Sequence, residues 1–195
     1  IIGQREVGLD TLSFDNALCE AMREAPDVIM IGEVRDRMTI ESAMRYADTG
    51  HLCLTTLHAT NSNQTLDRIL NFFPSDAHNQ ILMDLSLNLN AILAQRLVLS
   101  SDGSRVVATE VLINTPYISQ LIRDGNFHGI KEIMEKGGDI GMQTFDQAVF
   151  QLYKKELITY DEALRRASNP DEFKLKIQGI QSTSYISREE KDGLL

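Results

Sequence analysis

The chain has 195 residues, enough for one substantial core with a smaller appendage. Its net charge of -9 and its lack of a basic stripe argue against a dedicated nucleic-acid surface, because phosphates would find few cations to neutralise them. No apolar run approaches the roughly 20 residues needed to cross a bilayer and no charged-then-apolar leader opens the sequence, so a soluble, cytosolic chain is expected, reaching any membrane through a partner.

In chain order, Gly3 to Gly8 is the one Gly-x-x-x-x-Gly spacing, but Leu9 and Asp10 stand where a phosphate loop needs Lys and then Ser or Thr. Asp10 would repel phosphate, so the segment reads as a decoy. A helix is predicted over Phe14 to Glu24. Val28 to Ile31 then form a short apolar run between Pro26 and Gly32, the pattern of a strand buried on both faces. Asp27 precedes the run, and Glu33 leaves its carboxyl end, the edge at which open α/β sheets bind ligands. Glu33 is a candidate metal-side carboxylate; a strand-end acid facing water is the plainer reading of it alone.

Arg37 to Thr49 keeps helical spacing through Met38, Ala43, Met44 and Ala47 and stops at Gly50. The next strand, His51 to His58, carries an imidazole at each end and the hydroxyls of Thr55 and Thr56 near its carboxyl end. The order helix, strand, helix, strand, helix asks for a parallel sheet with right-handed crossovers, which brings Glu33 and His58 out on one edge. A carboxylate holding Mg²⁺ through water, an imidazole to polarise a phosphate and hydroxyls between them make a nucleotide-phosphate site. Taken singly, His51 and His58 read as structural.

Met22 to Asp27, Val28 to Ile31 and Gly32-Glu33-Val34-Arg35-Asp36 together closely resemble the Walker B signature of the type II secretion and type IV pilus ATPases, and His51 to His58 resembles their His box. Leu66 to Pro74 and Gly141 to Ala148 are similar to the retraction branch of that family, closer to its PilU members than to PilT. The resemblance covers about Gly3 to Ser168. It implies an α/β, RecA-like P-loop ATPase core with an α-helical appendage, working as a hexameric motor that turns ATP hydrolysis, with Mg²⁺, into pilus retraction and twitching. It also implies that Glu33 organises Mg²⁺ and water and that His51 and His58 respond to the γ-phosphate. Asp27, Gly32, Arg35, Asp36, Thr55, Thr56 and Arg68 would belong to the nucleotide surroundings. Arg35 would pair with Asp36 or Asp27, and Arg68 would reach either the core or a neighbouring subunit. The partners implied are further copies or a sister retraction ATPase in the ring, and an inner-membrane pilus platform protein that holds the cytoplasmic motor at the membrane. An accessory, noncatalytic ring subunit or interaction module that binds a sister motor is the alternative.

The family's phosphate loop and the acidic segment with its proposed general base both precede the Gln4-Arg5-Glu6-Val7 segment. With Ile1 first and no Met, the expectation is a C-terminal piece of a longer protein, inactive by itself. Cys19 and Cys53 form no Cys-x-x-Cys pair and read as buried free thiols; the four-cysteine zinc element common in the secretion and assembly branches is absent, which favours retraction. His78 and His128 are isolated and read as surface or core-edge residues.

From Ser75 to Leu97, Ala77, Ile81, Leu82, Leu85, Leu89, Ile92 and Leu93 repeat at helical intervals, predicting one long amphipathic helix. Arg96 to Leu99 and Arg105 to Ile113 predict a hairpin about Asp102-Gly103 that closes the sheet. Helices follow over Tyr117 to Arg123, Phe127 to Lys136, Phe145 to Lys155 and Tyr160 to Ala167, with capping boxes at Thr144/Gln147 and Thr159/Glu162. Tyr117 to Arg123 keeps only part of an Ala-Ile-Arg-Asn-Leu-Ile-Arg-like block of the PilT branch. The resulting division is a partial ATPase core at 1–114, a helical region at 115–168 and a polar, mobile tail at 169–195.

Overall fold

A computed structural model describes residues 2–179. By contact the described residues form two compact units, one from 2–91 with 113–130 and one from 92–112 with 131–179.

The first unit opens on a turn. Gly8, at φ 91°, lets the chain reverse so that its own N–H donates to the Thr11 carbonyl and the Glu6 N–H donates to Asp10 Oδ2. The Gly3 to Gly8 segment is therefore closed on itself by the acid that set it apart in the sequence. Helix α1 (Phe14–Ala21) is capped by Ser13, whose hydroxyl accepts from the Asn16 N–H. Strand β1 (Val28–Ile31) follows, then α2 (Arg37–Asp48) and β2 (Leu52–Thr55), parallel to β1 with Val28 opposite Leu52 and Ile31 opposite Thr55. On the inner face Ile29 and Ile31 pack with Leu18, Ala43 and Tyr46, and the buried Tyr46 hydroxyl donates to the Leu18 carbonyl at 2.6 Å. The outer face corrects the expectation of a strand buried on both sides: Val28, Leu52, Leu54 and Met30, the last 73 % exposed, stand open. Cys53 is half-buried, while Cys19 is exposed on α1 rather than buried.

Helices α3 (Ser62–Asn71) and α4 (His78–Asn88) come next. The predicted helix from Ser75 to Leu97 is not one element. It stops at Asn88, and strand β3 occupies Ala91–Leu99. Leu89, Ile92 and Leu93 satisfy a helical period, but from Ile92 onward burial alternates, with Ile92, Ala94 and Val98 inward and Leu93 and Leu97 outward. The stop is imposed from a distance. The Asn114 amide donates to the carbonyls of Ser86 (3.1 Å) and Leu89 (2.8 Å), and the Ser119 hydroxyl donates to Ser86 O at 2.7 Å, so α4's last carbonyls already have donors. Asn114 and Ser119 flank the start of α5 (Pro116–Arg123), which Thr115 caps and which buries Ile118 and Ile122. Helix α6 (His128–Lys136) is shared between the units.

In the second unit β3 pairs with β4 (Arg105–Ile113) across a turn in which Gly103 takes φ 85° and Asp102 Oδ1 accepts from the Ser104 N–H. Among the described residues this hairpin is a separate two-stranded sheet; it does not close the β1–β2 sheet as the sequence predicts. Its inner face, Ala94, Val98 and Ala108, packs on Phe145, Ala148 and Val149 of α7 (Phe145–Lys154), Ile158 and Ala163 at α8 (Tyr160–Arg166), and Phe173 of α9 (Pro170–Ile177). Contact thus groups the chain differently from one cut near Thr115, because the hairpin packs with later helices and α5 packs with α4. Helix α9 lies where a polar tail is expected. Asn169 Oδ1 accepts from the N–H groups of Asp171 and Glu172, Pro170 takes the first turn, and Phe173 is buried, so Asn-Pro starts a helix here rather than ending the fold. The rest of the predicted tail lies outside the described residues.

Candidate functional site

Because β1 and β2 run the same way, both release their carboxyl ends on one edge, and two hydrogen bonds join the outgoing turns there. The Val34 N–H donates to the Thr56 carbonyl at 2.9 Å, and the Thr56 hydroxyl donates to the Gly32 carbonyl at 2.5 Å. Val34 is buried and anchors the first turn. Glu33, next to it, points to the open side with its side chain 27 % exposed. Its two oxygens are both engaged. His58 Nε2 lies 2.8 Å from Oε1, and Arg35 Nε donates to Oε2 at 2.8 Å. The Arg35 hydrogen bond, followed by the Arg35 and His58 charges, holds the Glu33 carboxyl below its ordinary range against the opposing effect of desolvation. The partners are far more open than the carboxylate, Arg35 at 79 % and His58 at 86 %.

Arg68, from α3, donates to the His58 carbonyl and so holds the backbone that carries the imidazole. This contact lies within its own chain, on the exposed side of α3. Thr55 is the last residue of β2, opposite Ile31, and is exposed. A side chain at Gly32 would meet open space, so the flank beside Glu33 is clear. Asp36 sits on this edge but is committed elsewhere: Oδ1 accepts from both the N–H and the hydroxyl of Thr39 at 2.8 Å, capping α2, and those bonds hold its pKa down.

Two predicted site residues are not brought here. Asp27 and His51 lie at the amino ends of β1 and β2, roughly 20 Å of extended chain from Glu33 at about 3.3 Å per residue. His51 is built into the α2–β2 turn, with Nδ1 3.0 Å from Thr49 Oγ1 and 3.2 Å from the Tyr46 carbonyl and its ring edge-on to Tyr46. The Arg35 partner also differs from the sequence expectation. It is Glu33, not Asp36 or Asp27, because residues two apart in an extended turn project to the same side. That spacing was the available signal.

No cluster of three or more His, Cys, Asp or Glu side chains among the described residues offers a metal a protein cage. A single, partly open carboxylate fits Mg²⁺ nonetheless, since that ion keeps several waters and takes one or two carboxylates together with phosphate oxygens. Among the described residues, no helix is long and apolar enough to cross a membrane.

Residues 8–135 match the family described as Type II/IV secretion system protein. The chain is 55 % identical to the type IV pilus ATPase PilU of Pseudomonas aeruginosa over 179 residues, 91 % of this chain and 47 % of PilU. It is 40 % identical to the type IV pilus retraction ATPase PilT of the same organism, over 89 % of this chain and 50 % of PilT. A crystal structure of the pilus retraction motor PilT with bound ADP superposes with a TM-score of 0.79 at 42 % identity, covering 88 % of this chain and 48 % of PilT. The fold is accordingly α/β and RecA-like. The chain spans about half the length of the curated relatives it matches.

Proposed function

The chain belongs to the Type II/IV secretion system protein family, and from that membership we propose that it is the carboxyl-terminal half of an ATP-hydrolysing motor for type IV pilus retraction and twitching motility. One contact carries the reading: Glu33 and His58, from the ends of two parallel strands, meet at 2.8 Å on an open carboxyl edge. The chemistry that Mg²⁺ would supply at this edge is neutralisation of the charge that develops in phosphoryl transfer. Glu33 is the residue that would hold it, through water. His58 would stand with Glu33 on the terminal-phosphate side, while the Thr56 and Arg68 bonds fix the two turns so that imidazole and carboxylate stay in register. Asp27 and His51 have no part in this arrangement.

The ADP held by the PilT motor supports a nucleotide as ligand, with ATP as substrate. The similarity to retraction ATPases likewise supports a hexameric ring of identical or sister subunits, in the cytoplasm against a pilus platform protein of the inner membrane. These 195 residues contain no Gly-x-x-x-x-Gly-Lys-Ser/Thr segment, so turnover belongs to the longer protein rather than to this half alone. Full-length His58→Ala should bind nucleotide nearly as wild type yet lose most hydrolysis and twitching. Normal hydrolysis, or a lowered melting temperature in the nucleotide-free protein as its only change, would overturn the role given to His58.

A further inference from the structure

A carboxylate that serves a metal must present at least one oxygen to the metal or to its waters. In Glu33 each oxygen already has one partner, His58 at Oε1 and Arg35 at Oε2, and its remaining lone pairs lie beside that partner. A cation that comes to either oxygen comes up against one of the two.

The two contacts are unlike. His58 is carried on the neighbouring strand's turn, whose backbone is fixed by the Arg68 bond to its carbonyl and by the links between Thr56, Gly32 and Val34. Arg35 is different. It lies on Glu33's own turn, its side chain is 79 % exposed, and its contact is a single Nε–H bond rather than the two-pronged grip of which a guanidinium is capable. Its guanidinium brings a positive charge to Oε2, and movement of this exposed side chain clears that oxygen. A divalent cation arriving beside Glu33 meets a fixed positive charge on the oxygen it needs.

We propose that Arg35 is a positioning residue that acts as an exchangeable counter-cation: it holds the Glu33 carboxylate in place without metal and is displaced from Oε2 when Mg²⁺ binds. This rests on the reading of Glu33 as the Mg²⁺-side carboxylate. Arg35 and the metal therefore compete for one oxygen, and by linkage each weakens the other's hold. The competition is modest in size, because an exposed ion pair is a weak one. Its use is positional. Between metal-bound states a lone carboxylate at a strand end keeps the orientation set by two donors, and reloading requires no search for a rotamer.

The test is Mn²⁺ binding to the ADP-saturated full-length protein, titrated by electron paramagnetic resonance, which reads metal affinity without turnover. Arg35→Gln should tighten Mn²⁺ by about two- to fivefold, the size of an exposed pair, and Arg35→Lys should fall between the two. Arg37→Gln removes the same charge two residues along, from a side chain paired with Glu41 instead, and should leave the affinity unchanged. In a Glu33→Gln background Arg35→Gln should have no effect. If Glu33→Gln itself leaves Mn²⁺ affinity as in wild type, the assignment of Glu33 to the metal fails. If Glu33→Gln weakens Mn²⁺ but Arg35→Gln does not tighten it, or Arg37→Gln tightens it equally, the exchange fails while that assignment stands.

Discussion

Glu33 and Glu162 have similar partners in opposite settings. Each is a carboxylate held by two nitrogen-bearing side chains, Arg35 and His58 for the first, Arg165 and Arg166 for the second. Glu162 takes its arginines from its own helix, three and four residues on, at 3.0 and 2.7 Å, and its side chain is only 5 % exposed. Its Oε1 also accepts from the Leu99 N–H at the end of β3. Beside it the turn between the strands is tied to the α7–α8 connection, with the Ser100 hydroxyl and the Ser101 N–H both donating to the Leu157 carbonyl. Glu162 is thus a buried, satisfied node that fastens a helix to a hairpin. Glu33 takes its partners from two different turns, is five times more open and is bound to nothing that packing holds shut. What separates the buried carboxylate from the open one here is where the partners come from and whether solvent can replace them.

The largest test of that contrast is a pair of alanine replacements in the full-length protein. Glu33→Ala should lower ATP hydrolysis by about a hundredfold or more, the usual cost of removing a preorganised charge-stabilising group, with thermal stability close to wild type. Normal turnover with intact ring assembly would remove Glu33 from the site.

Glu162→Ala should do the reverse. Loss of a buried acceptor for the Leu99 N–H and two arginines predicts a decrease in unfolding free energy of about 1–3 kcal/mol, measured by urea denaturation, with metal affinity unchanged. The effect also has a pH signature. The Arg166 hydrogen bond comes first among the causes that hold the Glu162 carboxyl below its ordinary value, with the Leu99 N–H and the arginine charges adding and burial opposing. A depressed folded-state pKa gives stability that is fully present above the unfolded value, about 4.3 for Glu, and is lost as pH falls through the folded one. The stability gap between wild type and Glu162→Gln should therefore be full at pH 7 and shrink only below about pH 4. A gap that closes already between pH 7 and 5 would break the assignment.

The smallest effect should be at His51, which sharpens the same contrast among the imidazoles. His51→Ala removes bonds to Thr49 and the Tyr46 carbonyl and should cost about 1 kcal/mol or less of stability, with hydrolysis and nucleotide affinity in the full-length protein as in wild type. Loss of turnover without loss of stability would return His51 to the site.

Much of the site was legible because it depends on strand direction. Val28 to Ile31 and His51 to His58 read as consecutive strands, and parallel pairing alone puts Glu33 and His58 on one edge, where they are found 2.8 Å apart. The same rule, applied to the other ends, was enough to separate Asp27 and His51 from that edge. Motif resemblance had grouped them with Glu33 and His58, since a motif records neighbours in sequence rather than ends of a strand. Likewise Thr144 and Gln147 form the predicted reciprocal cap, with the Thr144 hydroxyl on the Gln147 N–H and the Gln147 side chain on the Thr144 N–H. The matching box at Thr159 is half made. Its hydroxyl caps the Glu162 N–H, but the Glu162 carboxylate has gone to Leu99, Arg165 and Arg166.

By itself the sequence determined what acts over a few residues: the two short strands and their polarity, the Asp102-Gly103 turn, the cap at Thr144, and the acid and imidazole at the carboxyl edge. Only the tertiary structure decided where α4 ends, which oxygen of Glu33 each partner holds, and that Glu162 faces a strand instead of its own cap. The reason is common to all three. A backbone carbonyl or a carboxylate oxygen goes to whichever donor reaches it, and for Ser86, Leu89 and Glu162 decisive donors come from 25 to 63 residues away, beyond the range in which helical or strand periodicity carries information.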